Sequence, residues 1–319
     1  MPTPDDPAAR YLQAAAEELF YRREDPRDPR LGERVGRGPQ ALAAADVVLL
    51  GYPVDEGVAR NRGRVGAARA PAEVRRWFYR LTPNRIDNLK LCDLGDLRPA
   101  PTLEESHMRQ REIVAALLAV GKRVVILGGG NDVSFPDASA LAGASPPVAA
   151  INVDAHFDFR TDTPCNSGTP YRQLVEGGHL DPRRYTVLGW QPFANAAGYE
   201  SELRGLGANL VSLGELRGRG LAASLRALLG GPPAQAAALF WGFDLDAVSA
   251  ADAPGVSAVN PSGLRAAEFC WLARTAGAEP RTRIIEFSET NPAFDVDGRT
   301  ARLVAVALWH YLAALAQAA

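Results

Sequence analysis

Short apolar runs alternate with amphipathic stretches along most of the chain. The runs Val47–Gly51, Arg123–Leu127, Val148–Asp154, Tyr185–Gly189, Asn209–Ser212, Ala238–Asp244 and Arg283–Glu286 read as strands, each short and bounded by turn-forming residues. Helical spacing covers Pro71–Arg80, which carries Pro at its first position, and Glu104–Val120, Thr169–Glu176, Leu221–Leu229, Ser262–Thr275 and Gly298–Gln317. Strands that are apolar throughout have both faces covered, so the alternation predicts an α/β fold: a mainly parallel central sheet with helices on both sides. Ahead of the first strand the pattern is polar and broken by proline. A helix is expected from Pro7 to about Tyr21, then a surface linker through Glu24-Asp-Pro-Arg-Asp-Pro-Arg30, whose prolines cannot sustain a helix. The expected organisation is an N-terminal helix and polar linker over 1–40 and a single domain over 41–319.

Composition narrows the class without naming the chemistry. A chain of 319 residues, 47% hydrophobic and 23% charged, can bury a substantial core. A formal net charge of -2 gives no polyelectrolyte signature, so a small molecule is the expected partner rather than nucleic acid or an anionic membrane. No apolar run approaches the roughly 18 residues of a membrane span, and the opening Met-Pro-Thr-Pro-Asp-Asp-Pro lacks a basic-then-apolar leader pattern. Cys92, Cys165 and Cys270 are odd in number and widely spaced, which argues against a disulfide framework and for the cytoplasm.

Candidate chemistry sits where two of the strands end. In Ile151-Asn-Val-Asp-Ala-His-Phe-Asp-Phe-Arg160, the residues Asp154, His156 and Asp158 are spaced two apart, the period at which strand side chains share a face. Asp244 and Asp246 repeat that spacing behind the apolar run Ala238–Phe243. Carboxylates and an imidazole in this number suit a borderline cation such as Mn²⁺, and two strand ends with five candidate ligands suggest a two-metal hydrolytic centre. Gly128–Gly130 lacks the continuation of a phosphate loop, and His107, His179 and His310 stand apart from the set as packing or surface residues. Cys165 reads as an ordinary free thiol.

From Gly51 onward the chain resembles the ureohydrolase superfamily of arginase, agmatinase and formimidoylglutamase. The resemblance rests on the glycine turn 128–130, Asp154-Ala-His-Phe-Asp158, Asp244-Leu-Asp246 and Glu289-Thr-Asn-Pro292, in that order. The stretches Asp55–Arg64, Asn166–Gln173, Ala253–Ser257 with Asn260-Pro261, and Asn291-Pro292 with Asp297 and Arg299 are most similar to the formimidoylglutamase branch. The resemblance implies an arginase-like three-layer α-β-α sandwich, a homotrimer or hexamer, and hydrolysis of N-formimidoyl-L-glutamate to glutamate and formamide in histidine breakdown. It also implies roles: Asp154 and Asp244 bridging two Mn²⁺ ions, His156 and Asp246 completing one site, Asp158 serving the other, and Glu289 pairing with the cationic amidine. Arginine or agmatine as substrate, and a metal-poor homologue that binds without turnover, remain as alternatives.

One position departs from the family. Its metal-binding histidine after the glycine turn is Asn131 here, followed by Asp132. Asn131 is either a weaker ligand, or replaced by Asp132, or beside an empty site; weak or single occupancy is favoured because the other five ligands are present. For the substrate carboxylates, guanidinium forks are the natural partners. The candidates are Asn61, Arg62 and Arg64 in the basic loop and Arg172, with Ser167, Gly168 and Thr169 capping the next helix or binding an anion there.

Overall fold

A computed structural model describes residues 7–318, so the first six residues of the expected N-terminal segment lie outside the description. Ten strands form one sheet: β1 (Leu12–Gln13), β2 (Gly36–Arg37), β3 (Val47–Gly51), β4 (Leu91–Leu97), β5 (Arg123–Leu127), β6 (Val148–Val153), β7 (Tyr185–Trp190), β8 (Asn209–Ser212), β9 (Ala238–Asp244) and β10 (Thr282–Ser288). Their order is β1-β4-β3-β5-β10-β9-β6-β7-β8, with β2 beside β4. Every pairing is parallel except that of β1 with β4.

The period-two geometry of strands sorts this sheet into two cores. Val125 and Leu127 of β5, Ile151 and Val153 of β6, and Trp241 and Phe243 of β9 pack on one side with the helices Ala266–Ala278 and Arg299–Ala318. Their neighbours Val124, Ile126, Ala150 and Phe240 pack on the other, with Leu103–Ala119 and Ser134–Ala144. The result is the three-layer α-β-α sandwich. Arg299–Ala318 is long and apolar enough by composition to span a membrane, but two-thirds of its most apolar window (67%) is buried, as befits a core helix.

Four differences from expectation have physical causes. The first helix covers only Pro7–Tyr11, because Leu12 and Gln13 instead extend the sheet as β1. With β2 also paired to β4, two short pieces of the segment before residue 41 join the sheet, while 24–30 runs between them without helix or strand. Strand β4 is hidden in the sequence by Asp93 and Asp96. Both meet the fully buried Arg75: its Nε lies 2.7 Å from Asp93 Oδ2, and its Nη1 bonds Asp96 Oδ1. The helix Ser134–Ala144 is buried over most of its surface, so it lacks the polar face that reveals a surface helix.

The adjacent central strands β5, β10, β9 and β6 all run in one direction, and the loops leaving their carboxyl ends carry Asn131, Glu289, the Asp244–Asp246 pair and the Asp154–Asp158 set. Sites form at such strand ends in open parallel sheets.

Candidate metal centre

The two carboxylate motifs are built by one device used twice. β6 ends at Val153, and Asp154 turns back to accept the His156 main-chain N–H at 2.7 Å. β9 ends at Asp244, whose Oδ1 accepts the Asp246 N–H at 2.8 Å and caps a single 3₁₀ turn. His156 and Asp158 are thus in the loop and not on a strand face; convergence is achieved by the turn, and by Asp158 adopting a left-handed φ of 45°. Glu289 is also left-handed, at φ 60°. Backbone strain of this kind, on the order of 1–3 kcal/mol per residue, persists where surrounding structure enforces it.

Two triads of ligand atoms result, each with all atoms within 4.8 Å of one another: Asp154, His156 and Asp246, and Asp154, Asp158 and Asp244. Asp154 is common to both. His156 Nδ1 lies 3.1 Å from Asp246 Oδ2 and 3.4 Å from Asp154 Oδ1. Without a cation, the charge of Asp246 and the hydrogen bonds of both aspartates push the imidazole up to about 12, so it is protonated. Burial raises Asp158 and Asp244 well above the carboxylate range, reinforced by their acidic neighbours, and raises Glu289 to about 8. Burial also opposes ionisation of Asp154, but His156 holds its pKa below the usual value. Asp246 Oδ1 is buried without a partner. Five carboxylates against a single imidazolium, one oxygen of them orphaned, is a donor set short of positive charge, and it fits divalent cations.

Asn131 does not offer its oxygen to this set. Its Nδ2 donates to Asp158 Oδ2, while its Oδ1 accepts from Ser134 Oγ at 3.0 Å and Ser288 Oγ at 2.9 Å. Asp132 is no substitute: its Oδ2 takes Tyr52 Oη at 3.1 Å and pairs with His107 Nε2 at 2.9 Å. The glycine turn itself is held against 52–54, where Gly130 N–H donates to Val54 O at 3.0 Å and a Cβ at Gly129 would stand 1.9 Å from that same oxygen.

A cavity of about 210 Å³ opens over the triads, walled by Asn61, Arg160, Ser167, Ser257 and Glu289. Sequence reasoning missed Arg160, although it closes the opening motif; it supplies the one guanidinium among the described lining residues. Its Nη1 donates to Asn61 Oδ1 at 3.3 Å, and Asn61 Nδ2 donates to Ser167 Oγ at 3.0 Å. Gly168 lies against the Arg160 stem, where a Cβ would be 3.0 Å from Cδ. Arg62, with Asn61 and Arg160, lines an adjoining cavity of about 440 Å³.

The other candidates have structural employment. Arg172 Nη2 bonds Glu202 at 2.7 Å, its Nε bonds Phe159 O at 3.0 Å, and its guanidinium lies over the Phe159 ring, away from the cavity. Arg64 Nε bonds Ser257 O at 3.0 Å, its Nη2 bonds Val256 O, and it stacks over Phe294. Thr169 precedes the helix Pro170–Glu176 without a side-chain cap; its hydroxyl instead bonds Asn166 O at 2.9 Å within the loop. Burial and Glu104 push the Cys165 thiol up to about 11, which makes it an inert thiol. A larger cavity of about 580 Å³, between residues 31–45 and 83–91, has mostly aliphatic walls and gathers no set of ligand-type side chains.

Comparison with known proteins agrees with this geometry. The chain is 35% identical to the formimidoylglutamase of Aromatoleum aromaticum, over 91% of this chain and 93% of that protein. It is 38% identical to that of Aeromonas hydrophila, over 92% and 96%. In structure it is similar to the formiminoglutamase of Trypanosoma cruzi with Mn²⁺, at a TM-score of 0.85 and 34% identity over 91% of this chain and 99% of that one; an asparagine-to-histidine variant of that enzyme with Mn²⁺ matches equally well. The Arginase family matches residues 45–314. Fold, paired ligand sets and sequence thus converge, and the chain belongs to the arginase family.

Proposed function

We propose that this protein is a Mn²⁺-dependent hydrolase of a linear amidine, converting N-formimidoyl-L-glutamate to L-glutamate and formamide in histidine breakdown. The observation that carries the reading is the sharing of Asp154 between two ligand triads on the floor of a small cavity that also presents Glu289 and Arg160. Paired divalent cations, when bound there, supply an activated water and Lewis-acid stabilisation near neutral pH. His156 and Asp246 would hold one cation and Asp158 and Asp244 the other, with Asp154, joined by Asp244 in the family scheme, between them. Because Asn131 turns its N–H₂ toward Asp158, the second position is the weaker, so weak or single occupancy is expected of it.

Glu289 faces the same space, its Oε1 held at 2.9 Å by the Asn131 main-chain N–H. Its ionised form pairs with the cationic amidine and stabilises that charge as the carbon becomes tetrahedral. Substrate selection falls to Arg160, in place of Arg64 and Arg172. A guanidinium at the cavity wall binds a carboxylate bidentately, and Asn61 and Ser167 complete the polar wall. Arg62, in the adjoining cavity, is placed for the second carboxylate of a diacid. Agmatine has no carboxylate for this wall, and arginine has one. The free thiols Cys92, Cys165 and Cys270 support a cytoplasmic setting, and a homotrimer or hexamer belongs to the same reading.

Arg160→Leu tests the substrate assignment. KM for formimidoylglutamate should rise by roughly ten- to a hundredfold, the loss of one charge-assisted interaction, while bound Mn²⁺ stays unchanged. An unaltered KM would remove Arg160 from the site.

A further inference from the structure

Asn131 is buried (1% exposed), and every polar atom of its side chain is engaged. Its orientation follows from its neighbours. Asp158 Oδ2 accepts from the amide N–H₂, and the amide oxygen accepts from the hydroxyls of Ser288 and Ser134. Those hydroxyls are fixed from behind. Ser288 is the last residue of β10, in register with Asp244 on β9. Ser134 begins the helix Ser134–Ala144, and its Oγ lies 2.6 Å from Glu286 Oε1 and 3.4 Å from the Tyr171 hydroxyl.

A cation in the Asp154, Asp158 and Asp244 triad could use Asn131 only if the amide turned over. The N–H₂ would then face two hydroxyls: Ser288, whose proton would lose its acceptor, and Ser134, whose single proton already has Glu286 Oε1 at 2.6 Å as the nearer acceptor. The Asp154, His156 and Asp246 triad has no such competing hydroxyl pair among the described residues.

We propose that Ser134 and Ser288 hold Asn131 as a hydrogen-bond donor to Asp158 and so compete with a cation for its amide oxygen, making this triad the weaker of two unequal metal positions. The two serines are positioning residues; neither touches the substrate cavity wall. The inference rests on the two-position reading given under Proposed function, and its test separates the two.

The test is Mn²⁺ binding by calorimetry, with electron paramagnetic resonance counting spin-coupled Mn²⁺ pairs, on metal-stripped full-length protein. The proteins are wild type, Ser288→Ala, Ser134→Ala/Ser288→Ala, and the double variant carrying Asn131→Leu as well. Wild type should show one tight and one weak position. Removing both hydroxyls frees the oxygen and should tighten the weak position about tenfold, the size of one to two net neutral hydrogen bonds. Ser288→Ala alone should tighten it about threefold, and decides the matter if the double variant fails to fold. Adding Asn131→Leu should abolish the gain while the tight position stays intact. A weak-position affinity that is unchanged or reduced without the hydroxyls overturns the proposal. Two equal positions in wild type would overturn it while leaving the hydrolase reading standing, and absence of any Mn²⁺ binding would overturn both.

Discussion

Uptake of Mn²⁺ should be driven by pH through His156. In the metal-free protein this imidazole sits between Asp246 and Asp154 and keeps its proton up to about 12. A metal ligand must be neutral, so the first cation has to displace that proton. At pH 7 the group lies about five units below its pKa. At 1.36 kcal/mol per unit, metal binding opposes a proton held by on the order of 7 kcal/mol. Asp244 and Asp158 are raised in the same direction by burial and their acidic neighbours. Calorimetric titration of metal-stripped protein in HEPES and in Tris, whose ionisation enthalpies differ, counts the protons released. At least one proton per first Mn²⁺ is expected, with apparent affinity rising about tenfold per pH unit for each, between pH 6.5 and 8.5. Stability of the metal-free protein should move the opposite way. The raised pKa values of His156 and Glu289 contribute stability that is full below their ordinary values of 6.5 and 4.5, and that is lost as pH climbs toward about 12 and 8. The metal-free Tm should therefore fall from pH 6 to 8 while the stabilisation by Mn²⁺ grows. Affinity independent of pH over that range, without proton release, would refute the reasoning.

Two further substitutions separate structure from site. Arg172→Ala should lower stability by about 1–2 kcal/mol in urea unfolding, through its bonds to Glu202 and Phe159 O, and leave KM unchanged; a raised KM at unchanged stability would return Arg172 to the substrate site. Arg75→Ala leaves the buried Asp93 and Asp96 without their cation and should cost about 3–5 kcal/mol, at a residue that does not line the cavity over the triads; a loss below about 1 kcal/mol would contradict the assignment of that pair as the anchor of β4.

The sheet was legible because its central strands are apolar on both faces; Val47–Gly51, Arg123–Leu127 and Ala238–Asp244, and the edge strand Asn209–Ser212, form where the pattern places them. β4 and the helix Ser134–Ala144 were not, since one carries buried aspartates whose partner lies elsewhere in the chain and the other has little polar face. The ligand set was legible for a reason the structure amends. The two-residue spacing of Asp154, His156 and Asp158 does not place them on a strand face; it is the spacing of a turn in which the first aspartate caps the backbone two residues on, and Asp244 and Asp246 repeat it. Which arginine meets the substrate could not be read from composition. Arg62, Arg64, Arg160 and Arg172 are chemically alike, and only their tertiary partners, main-chain carbonyls for Arg64 and Glu202 for Arg172, decide which remains free. Asn131 stood out in the sequence, but the hydroxyls that set its orientation come from residues 3 and 157 positions away.

Hydrolysis by the Mn²⁺-loaded protein, followed as formamide from N-formimidoyl-L-glutamate and as urea from arginine and agmatine, side by side, tests the central reading most directly. The expected result is turnover of formimidoylglutamate with kcat/KM at least a hundredfold above that for the guanidino compounds, lost on chelation and restored by Mn²⁺. Turnover of arginine or agmatine in preference, or no turnover of any of the three at saturating Mn²⁺, would contradict it.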